Sequence, residues 1–166
     1  TWIFDPVPDF NWGLNVQLGY KNFDLSMFFQ GVYGVDVYNN QKFQTDFWSL
    51  TDAGSNKGNR MLGAWTEDNN SSKIPALTTN NTGDEGRAST YFVEHGNWMK
   101  LRTLQLGYNF SDSLLKKLHM TSARVYVSGQ NLFTWKSSSF TISDPENPNW
   151  AYPHSSSVSF GLQLSF

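Results

Sequence analysis

From Phe10 onward every second residue is apolar: Phe10, Trp12, Leu14, Val16, Leu18 and Tyr20 alternate with Asn11, Gly13, Asn15, Gln17, Gly19 and Lys21. Successive side chains of an extended chain point to opposite sides of a sheet, so the pattern predicts one strand with an apolar and a polar face. After a break at Lys21-Asn22 the alternation resumes. Phe23, Leu25, Met27, Phe29 and Tyr33 stand opposite Asp24, Ser26 and Gln30, which predicts a second strand joined by a tight hairpin. Phe28 and Val32 interrupt the polar side and read as local interior packing.

Three further strands are predicted. One runs from about Trp98 to Phe110, with Leu104, Leu106, Tyr108 and Phe110 opposite Thr103, Gln105, Gly107 and Asn109; its start is less regular. A second runs from Arg124 to Trp135, where Val125, Val127 and Phe133 share one parity while Tyr126 and Leu132 take the other. The last alternates Val158, Phe160, Leu162, Leu164 and Phe166 with Ser157, Ser159, Gly161, Gln163 and Ser165.

The connections are unequal. Strands one and two meet at a two-residue turn. Strands three and four are joined by Ser111-Asp112-Ser113 and Leu114-Leu115-Lys116-Lys117-Leu118, which reads as a short capped helix with Ser111 or Asp112 accepting from the first free amides. The other two connections, about Gly34 to Asn97 and Lys136 to Pro153, are long and rich in Asn, Ser, Asp, Gly and Pro, the residues of turns and irregular loops. Short connections therefore fall at one end of the sheet and long ones at the other, as in transmembrane β-barrels.

Composition bears on what the apolar face meets. Of the 166 residues 16% are charged, against roughly 25% in soluble domains, and 16% are aromatic. Rings cluster at the strand ends: Trp12, Tyr33, Trp98, Phe133 and Trp135 on the long-loop side, and Tyr20, Phe23, Tyr108, Phe110 and Phe166 on the short-turn side. Aromatic girdles flanking an apolar band have this arrangement. Strands of roughly ten residues match a tilted span of about 9 to 11 residues, whereas soluble strands average about 5 to 6. The opposite faces, with Asn15, Gln17, Asp24, Gln30 and Gln163, suit a wet lumen. These features favour an all-β transmembrane antiparallel β-barrel over an autonomous carbohydrate-binding β-sandwich, the competing reading. No apolar run is much longer than Met27-Phe28-Phe29, so a transmembrane helix is excluded. A net charge of -2 gives no electrostatic footprint for nucleic acid. The absence of cysteine removes disulfides, thiol nucleophiles and thiolate metal sites. Thr1-Trp2-Ile3-Phe4 has neither an initiator Met nor a leader pattern, and reads as the start of a chain that has lost an upstream part.

Pro8-Asp9-Phe10-Asn11-Trp12-Gly13-Leu14 is similar to "NPDFTWGL", and Tyr20-Lys21-Asn22-Phe23-Asp24-Leu25-Ser26 with Phe29-Gln30-Gly31 to "YKGFDLS…FQG"; both segments resemble the C-terminal part of SusC/RagA-like TonB-dependent outer-membrane transporters. Trp65-Thr66-Glu67-Asp68-Asn69 and Lys73-Ile74-Pro75-Ala76-Leu77 resemble "WTPEN…YPRL". Asn97-Trp98-Met99-Lys100-Leu101-Arg102 stands where the family has "SYLRLKN". Ala123 to Phe133 is similar to "LRVYVSGQNLF", and Asp144-Pro145-Glu146 to "DPE". The resemblance covers nearly the whole chain, with Trp98-Met99-Lys100 in place of Tyr-Leu-Arg.

It implies that residues 1–166 are the last five strands of a barrel of about 22, an even count as in other bacterial barrels, with the plug and the N-terminal strands elsewhere. It implies an importer of oligosaccharides or peptides driven by TonB through the absent N-terminal part, closed by a SusD-like surface lipoprotein. The implied location is the outer membrane of a Gram-negative bacterium, among lipid and lipopolysaccharide, with the long loops outside and the C-terminus periplasmic. Phe160, Leu162, Leu164 and Phe166 resemble the signal by which the barrel-assembly machinery recognises its clients.

Chemistry-bearing patterns are sparse. His95, His119 and His154 share no metal-ligand spacing and read as surface or loop histidines, and neither a Gly-x-Ser-x-Gly nor a phosphate-loop pattern occurs. Asp52-Ala53-Gly54-Ser55-Asn56 and Glu67-Asp68-Asn69-Asn70 place oxygens in loops without the full calcium pattern. The expectation is a non-enzyme without cofactor or metal. In the long loop Tyr38, Phe43, Phe47, Trp48 and Trp65 stand among amides and carboxylates, a chemistry that stacks on sugars or clamps peptides. Trp48, Trp65 and Asn69 are the candidates to face ligand or lid.

Overall fold

A computed structural model describes residues 4–46, 56–77, 87–147 and 152–166. Five long strands form one antiparallel sheet: β1 (Phe10–Tyr20), β2 (Phe23–Tyr33), β5 (Trp98–Asn109), β6 (Ser122–Lys136) and β7 (Ser157–Ser165), in the order β1-β2-β5-β6-β7. These are the five strands the alternation predicts. The short β3 (Asp36–Tyr38) and β4 (Val93–His95) pair in a second small sheet, and two helices, α1 (Asn40–Asp46) and α2 (Asp112–Lys117), lie in the connections. No helix among the described residues is long and apolar enough to cross a membrane, which says nothing of strands.

Register places the apolar residues side by side. Leu14 pairs with Phe29, Val16 with Met27 and Leu18 with Leu25; Leu25 in turn faces Leu106, Val127 and Phe160 across the sheet. This face is left open. Leu14, Leu18, Val158, Leu162 and Leu164 are exposed, and Phe160 is 85% exposed. Leu101 and Ala123 are buried on this face, and the other buried apolar residues lie in or beside the connections: Phe92, Phe140, Ile142, Met61, Ala64 and Leu115.

Two irregularities correct the reading of single residues. Between Leu101 and Thr103 the register of β5 shifts against both neighbours. Arg102 and Thr103 both lie on the polar face, and parity reverses above them. Trp98, predicted in the aromatic girdle, therefore pairs with Val32 and Lys136 and lies on the polar face, while Met99 and Leu101 take the apolar one. In β6 Asn131 adopts φ of 50°, which throws Leu132 against Gly129, while Tyr126 keeps its parity and lies over Gly161 on the polar face. The other girdle rings sit at the strand ends, with Phe10 stacked on Tyr33 at 5.3 Å and Phe23 against Tyr108 at 4.8 Å.

The segment read as irregular loop holds β3, α1 and β4. Asn39 caps α1, its Oδ1 accepting from the Lys42 amide at 3.0 Å. At α2 neither predicted side-chain cap forms. The Ser111 carbonyl accepts the amides of Leu114 and Leu115, and the Ser111 hydroxyl lies 3.2 Å from that of Ser113.

Candidate functional site

The two long connections dock onto each other and onto the polar face at one end of the sheet. Bulging of β5 brings Lys100 and Arg102 onto that face. There they meet Asp144 and Glu146 from the β6–β7 connection. The Lys100 ammonium donates to Asp144 Oδ1 and Glu146 Oε2, each at 2.7 Å. Arg102 pairs with the other Glu146 oxygen and also donates to Gln30 Oε1 at 2.9 Å and Asn131 Oδ1 at 3.2 Å. The backbone amide of His154 donates to Asp144 Oδ2 at 2.8 Å, and its Nδ1 lies at the same distance from that oxygen. Lys100 is 2% exposed and Asp144 4%.

Burial by itself raises the Asp144 carboxyl pKa. The His154 amide, the Lys100 ammonium, the Glu146 amide and the His154 ring all donate to it and outweigh burial, so the group is held well below the usual carboxylate range. At neutral pH it is an anion within a ring of donors.

Asp144, Glu146 and His154 offer ligand atoms within 4.8 Å of one another, the spacing of a three-ligand metal site. Lys100 already stands between the two carboxylates as their counter-ion. A metal ion would have to displace that buried ammonium, so the donor set does not fit one. Sequence spacing treats His154 as a loop histidine; the "DPE" segment ten residues upstream is the signal that gives it partners.

A second network ties the β2–β5 connection together and joins it to the first. Asp46, fully buried at the end of α1, accepts from Arg60 Nε at 2.9 Å, the Tyr91 hydroxyl at 2.9 Å and the Thr45 hydroxyl at 3.0 Å. Burial, reinforced by the bond to Asp46, pushes the Tyr91 hydroxyl pKa up and keeps it a donor. Lys42 lies 4.0 Å over the Tyr91 ring and 3.8 Å from Glu94; burial lowers its pKa.

Thr141 is where the two connections meet. Its amide and hydroxyl donate to the two oxygens of Glu94 at 2.8 and 2.7 Å, and its hydroxyl oxygen accepts from Asn39 Nδ2 at 2.9 Å. Phe140 and Ile142, on either side of Thr141, are buried. The two connections thus form one docked layer above the polar face.

Of the predicted contact residues, Trp65 is 42% exposed on a ledge formed by residues 59–77, its amide bonded to the Ile74 carbonyl at 2.9 Å. Leu62, on the same ledge, is exposed as well. Asn69 builds this ledge, its Nδ2 donating to the carbonyls of Gly63 at 3.1 Å and Ala64 at 3.2 Å. Glu67 and Asp68 stand exposed in the turn that Asn69 closes. Tyr38 packs against Phe4 and Phe92 within the layer. Trp48, Phe47 and residues 52–55 lie outside the described residues. Phe160, Leu162 and Leu164 line the apolar face of β7, and Phe166 follows it, 84% exposed.

No protein-family model matches the chain. It is 32% identical over 99% of its length to TonB-dependent receptor P3 of Formosa agariphila, and spans 17% of that protein. It is 29% identical over 97% of its length to TonB-dependent receptor SusC of Bacteroides thetaiotaomicron, spanning 15% of it. Among solved structures, 96% of the chain superposes on the RagAB peptide importer in its "open-open" state, with a TM-score of 0.76, 28% identity and 17% of that chain covered. The "closed-closed" state gives a TM-score of 0.77 at the same identity and the same coverage. The chain therefore spans about a sixth of the length of the relatives it matches. The resemblance read from the sequence motifs agrees with these names, and none of these relatives is named as an enzyme.

Proposed function

We propose that this chain, similar over nearly its whole length to a segment of SusC-type TonB-dependent receptors, is part of the wall and mouth of an outer-membrane nutrient importer. The observation that carries this reading is the open apolar face. A soluble sandwich would bury such a face under a second sheet, yet among the described residues nothing covers it, and the small β3–β4 sheet belongs to the loop layer. Hydrocarbon is the environment in which that face is at rest. The polar face then lines the lumen, and the docked loops form the extracellular rim.

On this reading β1 and β7, each paired on one side only, continue into the remaining strands of a closed barrel. The short connectors and the C-terminus are periplasmic. TonB supplies energy through a part of the protein outside this chain, and a SusD-like lipoprotein closes on the rim, where Trp65 and Asn69 of the ledge, together with Trp48, are the candidate contacts. Likeness to the RagAB peptide importer favours peptide cargo; oligosaccharide is the alternative cargo that the motif resemblance implies.

Uptake of labelled oligopeptide and oligosaccharide by cells carrying the full-length protein, with co-purification of the lipoprotein, tests this. Trp48→Ala with Trp65→Ala reduces lipoprotein recovery or uptake. If both are unchanged, the ledge has no such role. Residues 1–166 expressed alone need detergent on this reading; a soluble product with a cooperative melt would establish the sandwich instead.

A further inference from the structure

The apolar face is not flat. Toward the ends of β5 and β6 that α2 joins, Val125 and Val127 form a low floor. Leu106 and Tyr108 on β5 stand on one side and Phe160 on β7 on the other. Phe23 extends the first wall, its ring against Tyr108. Together they shape an open groove of about 270 Å³, lined almost wholly by carbon. Apart from the Tyr108 hydroxyl, the walls and the valine floor give a sugar or a peptide backbone nothing to hydrogen-bond, and they suit a flexible hydrocarbon chain.

The connector between these two strands carries the complementary chemistry. Lys116 and Lys117 lie in the last turn of α2 and are exposed, beside the exposed Leu114 and Leu118. Exposed leucines next to lysines are the composition of a segment seated at a membrane interface, where the stems lie along apolar surface and the ammonium groups reach phosphate. Lys21 is exposed in the neighbouring β1–β2 turn, and Asp112 is the one carboxylate of residues 110–121. The rim beside the groove is therefore positive.

We propose that this groove binds one acyl chain of an anionic phospholipid whose phosphate is held by Lys116 and Lys117. The inference rests on the lipid-facing reading of the sheet. It adds a defined site where that reading requires only bulk hydrocarbon.

The test uses the full-length protein in nanodiscs doped with phosphatidylglycerol or phosphatidylcholine, each bearing a photoreactive acyl chain. Crosslinks concentrate in residues 104–108, 123–129 and 158–162, and phosphatidylglycerol is favoured by about fivefold for each lysine engaged. Lys116→Gln with Lys117→Gln abolishes the headgroup preference. Val125→Trp with Val127→Trp removes labelling at the groove and spares the rest of the apolar band. The lysine pair lies outside the sheet, so its result stands even where the tryptophan variants assemble poorly. Even labelling along the band, with equal yields from the two lipids on a heat-modifiable barrel, would overturn the site alone. Absence of heat-modifiable migration in the unaltered protein would count against the membrane reading itself.

Discussion

The ammonium of Lys100 lies 2.7 Å from a carboxylate oxygen of Asp144, joining the polar face of a sheet strand to a loop residue 44 positions later. Both are nearly excluded from water. Removing one partner of such a pair strands the other charge, at a cost of about 3–5 kcal/mol. Lys100→Met in the full-length protein is expected to release the β6–β7 connection, read as faster amide exchange through residues 140–147. Adding Asp144→Asn recovers part of the loss, because no unpaired charge remains. Unchanged exchange in the single variant would show that the pair does not hold the loop.

The depressed Asp144 pKa fixes the pH range over which this docking persists. A carboxylate whose folded pKa lies below its unfolded value, about 3.9, contributes stability that is fully present above that value and is lost as pH falls toward the folded pKa. Lys100, Arg102, Glu146 and His154 are the charged or titratable groups around it. As far as Asp144 governs docking, the connection stays protected at pH 5 and opens only well below pH 4. Limited proteolysis across an acid series checks this; opening that begins above pH 5 would assign the control to another group.

The strands were legible because two-residue periodicity survives translation into a sheet almost unchanged. Leu14, Phe29, Leu106 and Phe160 could be assigned to one face before any pairing was known. The bulge at Arg102–Thr103 was not legible, since a one-residue shift in parity leaves only an irregular patch of sequence. The shift carries Trp98 to the polar face, and nothing in the local sequence marks Lys100 and Arg102 as partners of Asp144-Pro145-Glu146. Contacts between residues more than 40 positions apart have no periodic signature. The same limit hid Thr141 between Asn39 and Glu94, and β3, α1 and β4 are too short for periodicity to reveal.

Thr141 makes the two long connections one unit. Thr141→Val keeps its shape and its amide bond but removes the hydroxyl that serves Glu94, Asn39 and Arg60. Leaving the buried Glu94 carboxylate short of a donor costs about 1–3 kcal/mol. Exchange protection is expected to fall in 38–46 and 91–95 as well as in 137–147. A fall confined to 137–147 would show that the connections dock independently.

Phe166 closes a strand whose apolar side chains all point to the open face. Deleting it is expected to lower the amount of assembled, heat-modifiable barrel several-fold while synthesis is unchanged. Leu18→Ser provides a control, since it weakens the same open apolar face on β1 and lies outside the terminal segment. Normal assembly of the Phe166 deletion would remove this residue from the assembly signal.

Tyr126 lies over Gly161 on the polar face, so close that a β-carbon at Gly161 would overlap its ring, and Arg124 stacks on the same ring at 5.1 Å. Arg124 in turn pairs with Asp24 at 2.5 Å, so the contact links β7 through β6 to β2. Gly161→Val must expel the ring, with an overpacking cost of about 1–3 kcal/mol. Tyr126→Ala leaves Gly161 free to accept a side chain. The double variant is therefore expected to be more stable than Gly161→Val alone, measured as the temperature at which the barrel loses its heat-modifiable migration. Strict additivity of the two changes would mean that the ring has room to move aside, and that Gly161 is tolerated at this position for a reason other than Tyr126.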